Sequence, residues 1–214
     1  RVMDEWNLVD WPENMRDGYD FPPDYSAEPH NVINAFYIVC VIGTEQIRNI
    51  LGVSYKKESP ALIKAFNREF YDLETGLYKD RANSSHISLH SNILPAFYGF
   101  IKSGSERAVG DFIVKKGLSC GVYMAYFLLK ALCRLGRHTD AYSLIVSQGE
   151  HSWYNMVREG ATTCFEAWGK EQKWNTSFCH PWASAPISVL AEDILPKHPE
   201  LGRIVYRKSR QSKN

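Results

Sequence analysis

Apolar side chains in this sequence recur at three- and four-residue steps, stretch after stretch, with glycines punctuating the joints. That period belongs to helices with one buried face, and its persistence leaves little room for a sheet. Val32, Ala35, Phe36, Val39, Gly43, Ile47 and Ile50 make the first stripe, with Gly52 placed to stop it. Leu62, Ile63, Phe66, Phe70 and Leu73 make the second, ended by Gly76, so residues 31–73 are predicted to form an αα-hairpin. Leu89, Ile93, Leu94, Phe97, Phe100 and Ile101 pair in the same way with Phe112 and Ile113. Tyr123, Tyr126, Leu129, Leu132 and Leu135 pair with Ala141, Leu144 and Ile145, and joints are expected at Gly104, Gly117, Gly136 and Gly149. A last pair, Trp153/Met156/Val157 and Ile187/Leu190/Ile194, is interrupted by an aromatic loop longer than the ~12 to 15 residues of ordinary connections. Only Gly76-Leu77-Tyr78 hints at a strand. The predicted class is all-α, arranged as a solenoid or as the arc of a toroid whose inner helices line a cleft.

A chain of 214 residues makes one large domain or two small ones. With 44% apolar and 23% charged residues it can build a core, which argues against disorder. The charges nearly cancel (25 − 24 = +1), so nothing calls for nucleic acid or an anionic membrane as partner. Charged residues interrupt every long apolar run before it reaches the ~18 to 20 residues of a membrane span. Arg1 and the lack of a signal segment suggest a processed, trimmed or fragmentary chain. The compartment stays open between a periplasmic or extracellular one, which is favoured, and the cytoplasm. Five cysteines, none in C-x-x-C, are too scattered for a disulfide scaffold and read as small buried hydrophobes.

All six tryptophans fall in two irregular stretches: Trp6 and Trp11 early, then Trp153, Trp168, Trp174 and Trp182. Core-building tryptophans should be spread over the helices. Their clustering in loops points to a site, because an indole packs on the C–H face of a sugar ring and offers an N–H to a hydroxyl. The alternative is that these indoles glue loops to the helical frame. Within the second cluster Glu166 stands beside Phe165, with Trp168, Trp174, His180 and Trp182 following. A carboxyl among apolar walls and hydrogen-bond donors can be tuned for proton transfer. Thr163-Cys-Phe-Glu166 also has the spacing of a helix capping box, and sequence alone leaves both readings open. Glu159, next to Arg158 near a helix end, reads as a solvated surface carboxylate. His86 and His90 have a metal-ligand spacing but no third ligand in view, so no metal site is expected.

Gly160-Ala-Thr-Thr-Cys-Phe-Glu166-Ala-Trp168 followed by His180-Pro-Trp182-Ala-Ser-Ala-Pro186 resembles the C-terminal half of the catalytic domain of bacterial α-L-rhamnosidases, glycoside hydrolase family 78. Val9-Asp-Trp-Pro12 and Ser88-Leu-His90-Ser-Asn92 resemble stretches that precede these motifs, so the similarity runs over most of the chain. The resemblance implies an (α/α)6 toroid, incomplete here, and inverting hydrolysis of a terminal α-L-rhamnosyl bond without a cofactor. It assigns Glu166 as the general base, and His180 and Trp11 to the rhamnose pocket, with Trp168, Trp182 and Asp10 as further substrate-binding candidates. The partners implied are rhamnose-containing oligosaccharides, polysaccharides or glycosides. The family's general acid lies in an Asp-Cys-Pro-x-Arg-x-Glu motif that this sequence does not contain, so the acid is expected upstream and the isolated chain is expected to be inactive. Residues 1–30 and 149–184 are expected to be site-lining loops within one partial toroid, residues 207–214 a frayed tail, and exposed inner helices a cause of self-association. A different (α/α)6 sugar hydrolase and a non-catalytic carbohydrate-binding or scaffold fragment are the alternatives.

Overall fold

The computed structural model describes residues 13–20 and 28–202. Asp10, Trp11 and the tail 207–214 lie outside the described residues, as does most of the predicted 1–30 loop. The described residues are all-α, with two isolated antiparallel bridges, Tyr71 to Tyr78 and His30 to Arg81, as their extended pairings. The first bridge is the brief extended patch expected near Leu77. Among the described residues no helix is long and apolar enough to cross a membrane. The chain forms two compact units, Arg1–Lys116 and Gly117–Asn214.

The first unit holds α1 (Asn31–Ile50), α2 (Ser59–Phe70), α3 (Leu89–Tyr98) and α4 (Glu106–Lys116). α1 packs on α2, α3 packs on α4, and α1 also meets α3. Of the predicted α1 stripe only Val32 and Ala35 are buried, with Ile38, outside that stripe, buried beside them, whereas Ile47 and Ile50 face solvent. In the second half it is Glu45 that is buried, and its carboxylate accepts Glu58 N–H at 2.6 Å, Ser59 N–H at 2.9 Å and Ser59 Oγ–H at 2.6 Å. The start of α2 is thus capped by a side chain of α1, since the first N–H groups of a helix have no partner of their own. α2 ends at Phe70, so Leu73, expected in its stripe, lies exposed.

α3 is buried from Leu89 through Ala96, which fits an inner helix better than a surface one. It stops at Gly99, not at the predicted joint Gly104, because Gly99 takes the left-handed conformation (φ 77°) and returns its N–H to Pro95 and Ala96 carbonyls. Pro95 inside the helix has no N–H for the Ser91 carbonyl. Asn31 Nδ2 donates to that carbonyl at 3.3 Å, so the defect is repaired from α1.

The segment Ser88–Asn92 shows why its residue types are needed. Ser88 caps α3 by accepting Ser91 N–H, and Asn92 pairs with the backbone of Tyr78 through both its amide atoms, at 3.0 and 3.1 Å. Buried Asp80 gathers the turn before α3: its carboxylate accepts Ser88 N–H at 2.9 Å, Ser91 Oγ–H at 2.6 Å and Asp20 N–H at 2.9 Å, and meets His86 Nδ1 at 2.6 Å. His90 is buried in α3, while His86 is half-exposed. Among the described residues no group of three His, Cys, Asp or Glu stands where it could hold a metal ion.

The second unit holds α5 (Val122–Arg134), α6 (His138–Ile145), α7 (Trp153–Arg158) and α8 (Ala185–Val189), with 3-10 turn Pro181–Ser184 before α8 and π-helical turn Leu190–Ile194 after it. α5 is its central helix and packs on α6 and α8 with Leu128, Leu129 and Leu132 fully buried. Each fully buried leucine stabilises the unit by roughly 1.5 to 3 kcal/mol relative to exposure. Ser152 caps α7 by accepting Asn155 N–H at 3.0 Å. Residues 159–180 contain no helix. That long loop is the one expected from its aromatic composition.

Candidate functional site

No helix starts at residue 163, so the capping-box reading of Thr163 and Glu166 falls. Thr163 Oγ1 donates instead to the Phe178 carbonyl. Two main-chain bonds close the same neck: Glu166 N–H to Ser177 O at 2.8 Å and His180 N–H to Cys164 O at 2.9 Å. Residues 164–166 and 177–180 therefore run alongside each other, with 167–176 as a closed excursion between them. Phe165 turns into the core and packs on Phe178, ring centroids 4.9 Å apart, while Glu166 turns outward and is half-buried.

Both oxygens of the Glu166 carboxylate are held. Lys173 Nζ lies 2.5 Å from Oε1, and Ser177 N–H donates to Oε2 at 3.1 Å. The Lys173 bond, foremost, and the Ser177 N–H hold the Glu166 carboxyl below the usual carboxylate range; partial burial opposes them, and the charges of Lys173 and His180 add to the lowering. A group that must accept a proton has to be ionised beforehand, and these contacts meet that requirement.

His180 follows on the returning arm and its ring lies 4.2 Å from that of Trp182, which is 48% exposed. Trp182 in turn lies 4.9 Å from Tyr123 at the start of α5. Trp182 and Tyr123 open onto a groove of about 720 Å³ between α5 and the Pro181–Ala191 segment, walled by Tyr126, Phe127, Ala185 and Ile187 as well. Glu166 and His180 thus lie on the two facing arms, with Trp182 beside His180 in the 3-10 turn that follows, and the groove is walled by Trp182 and not by Glu166 or His180.

Trp168 is placed elsewhere. It is 0% exposed, donates its indole N–H to the Cys120 carbonyl at 2.6 Å, and stacks edge-on against Trp153 at 4.8 Å. With no face open to a ligand, the substrate-binding expectation for Trp168 is corrected: it is a core residue, and the glue reading applies to it. Trp153 serves the same purpose, donating Nε1–H to the Ala183 carbonyl at 2.7 Å. Trp174 sits on the 167–176 excursion and is 95% exposed.

Glu159 is not a solvated surface carboxylate. Its Oε1 accepts Asn155 Nδ2–H at 2.9 Å and its Oε2 accepts Lys170 N–H at 2.7 Å, while Lys170 Nζ returns to the Glu159 carbonyl at 2.7 Å. It clasps the start of the excursion to α7. Lys173 was missed from the sequence, because side chains seven residues apart do not meet within a helix or a strand, and only the closed loop brings this pair together.

Among curated proteins none matches the chain. The model of the bacterial α-L-rhamnosidase six-hairpin glycosidase domain matches residues 2–194, nearly the whole chain and both compact units. The all-helical architecture agrees with such a domain, and the chain belongs to the bacterial α-L-rhamnosidase six-hairpin glycosidase domain family.

Proposed function

We propose that this domain takes part in the inverting hydrolysis of terminal α-L-rhamnosyl bonds, with Glu166 as the general base. The single observation that carries the reading is the Glu166 carboxylate, anchored at both oxygens and held below its usual range, with His180 on the facing arm beside the half-exposed Trp182. Inversion requires one carboxyl group to protonate the leaving oxygen while another deprotonates a water on the opposite face of the sugar, the two standing about 6.5 to 9.5 Å apart. Glu166 would take the proton of that water as its oxygen bonds to the anomeric carbon and the glycosidic bond breaks. His180 would bind a ring hydroxyl and Trp182 would pack against the sugar, with Asp10 and Trp11 as further contacts. The substrate class is a rhamnose-containing glycoside, oligosaccharide or polysaccharide, and the reaction calls for no cofactor. Exposed Tyr123, Trp182 and Ile187 beside the groove also favour self-association, which sedimentation of the chain would reveal.

The test is hydrolysis of an aryl α-L-rhamnoside by the protein carrying this domain, with the first-formed anomer read by polarimetry. Release of β-L-rhamnose that collapses in Glu166→Gln supports the reading. Unchanged turnover in that variant, or retention of configuration, overturns it. Rhamnose binding without turnover would mark a sugar-binding domain instead.

A further inference from the structure

We infer that Lys173 is a positioning residue for Glu166: it occupies Oε1, fixes the carboxylate plane together with Ser177, and leaves Oε2 as the oxygen that takes up the proton. The inference rests on the general-base reading of Glu166 and deepens it. The two oxygens are not equivalent. Oε1 faces an ammonium at 2.5 Å, a short charge-assisted contact, whereas Oε2 receives one neutral N–H at 3.1 Å. A carboxylate oxygen has two acceptor positions, so Oε2 keeps one for a water while the positive charge at Oε1 makes that oxygen the poorer proton acceptor.

Lys173 is itself delivered by the local backbone. Thr176 donates both its N–H, at 3.1 Å, and its Oγ–H, at 2.6 Å, to the Lys173 carbonyl. Gln172 N–H closes back onto Gly169 O, and Lys170 is clasped by Glu159. The main chain on both sides of Lys173 is tied down, so the ammonium is presented to the neck of the excursion. Its side chain is 23% exposed and that of Glu166 18%, which keeps the pair partly shielded from the screening that makes surface pairs nearly worthless. The charged groups acting on Glu166 are Lys173 from the excursion and His180 from the returning arm. Both are cationic or can become so, and of the two only Lys173 bonds the carboxylate.

The proposal is tested on the 214-residue chain with ¹³C-labelled glutamate, the Glu166 carboxyl signal being the one absent from Glu166→Gln. In the native chain its titration midpoint should fall below the ordinary glutamate value of about 4.3. Lys173→Met should raise its proton affinity about tenfold, one pH unit in the midpoint, and Lys173→Arg should restore most of the shift. In the turnover assay the acid limb of kcat/KM should move upward by the same amount in Lys173→Met, a change that a merely structural lysine would not cause. A folded Lys173→Met chain with an unmoved Glu166 midpoint overturns the proposal. If Lys173→Met does not fold, the native chain still decides the matter: a slowly exchanging Lys173 ammonium signal, lost in Glu166→Gln, supports the pair, and its absence from the native chain overturns it. Calorimetry with L-rhamnose on the protein carrying this domain keeps the two ideas apart. No rhamnose binding beside an intact titration shift defeats the sugar reading, whereas binding beside an unshifted titration defeats the role of Lys173.

Discussion

Trp168 donates its indole N–H to the main-chain carbonyl of Cys120, 2.6 Å away and 48 positions back in the chain. The bond ties the Glu166 loop to the turn before α5, and the ring fills the space against Trp153 and His151. Removing the ring leaves a cavity as well as a lost burial term. Trp168→Ala should destabilise the second unit by about 4 kcal/mol. Trp168→Phe should cost about 2 kcal/mol, much of it from the lost bond of the indole N–H to the Cys120 carbonyl. Urea unfolding followed by helical circular dichroism reads both. A loss below 1 kcal/mol for the alanine variant would contradict the buried placement.

Glu166→Gln should lower turnover by about 10² to 10⁴, the usual worth of a positioned base, while melting within a few degrees of the native protein. Since the Glu166 carboxyl is held below its ordinary range, its contribution to stability is present at neutral pH and is lost as the pH falls through that range. Acid unfolding of Glu166→Gln should accordingly lack part of the native steepness below about pH 4.5. A turnover plateau unaffected by the substitution would remove Glu166 from the reaction.

His90 offers a separate pH lever. Burial in α3 pushes its imidazole down to about 4, with Asp17 and Asp80 opposing the effect. The unfolded chain titrates its histidines near 6.5, so below that value it binds the proton that the folded chain refuses. The stability present above about pH 6.5 should decline by roughly 3 kcal/mol as the pH falls toward 4. His90→Gln, at a cost at neutral pH, should flatten this slope in denaturant titrations taken at successive pH values. An unaltered slope would place the imidazole in contact with water.

Gly169 lies where a Cβ would come within 2.7 Å of Glu159 Oε1 and 3.1 Å of Asn155 Nδ2. Glu159 cannot step aside without releasing Lys170 and Asn155. Gly169→Ala should therefore destabilise by about 1 to 2 kcal/mol, and Glu159→Ala by a similar amount. The double variant should cost clearly less than the sum, since both changes break the same clasp. Strict additivity in the cycle would show that the two residues do not share it.

Helices and their partners were legible because burying one face imposes a 3.6-residue period that survives in the sequence. Ends were less so. Phe100 and Ile101 continue the apolar stripe of α3, but Gly99 has already turned the chain, and Leu73 extends a stripe whose helix ended at Phe70. For the candidate site, the type of Glu166 and its neighbours was legible, its surroundings were not. Thr163 and Glu166 have the same spacing in a capping box and in an open ribbon, and what separates the two is Ser177 and Lys173, joined to Glu166 across a closed loop. Trp168 was misjudged for a similar reason. Clustering of tryptophans in irregular segments locates them along the chain, yet an indole in a loop can point inward as readily as outward.

The excursion between Ala167 and Thr176 leaves and returns through one fixed gate, Glu166 to Ser177. Lys173 reaches back from this excursion to the gate, so a change of length or composition that moves Lys173 also moves the charge set against the carboxylate. Lys173 and Trp174 travel with that cassette while Glu166, His180 and Trp182 stay behind. Replacing its outer part, beyond Trp168 and Gly169, would retune the charge beside Glu166 and the outer rim together, while Trp168 keeps the frame beneath in place.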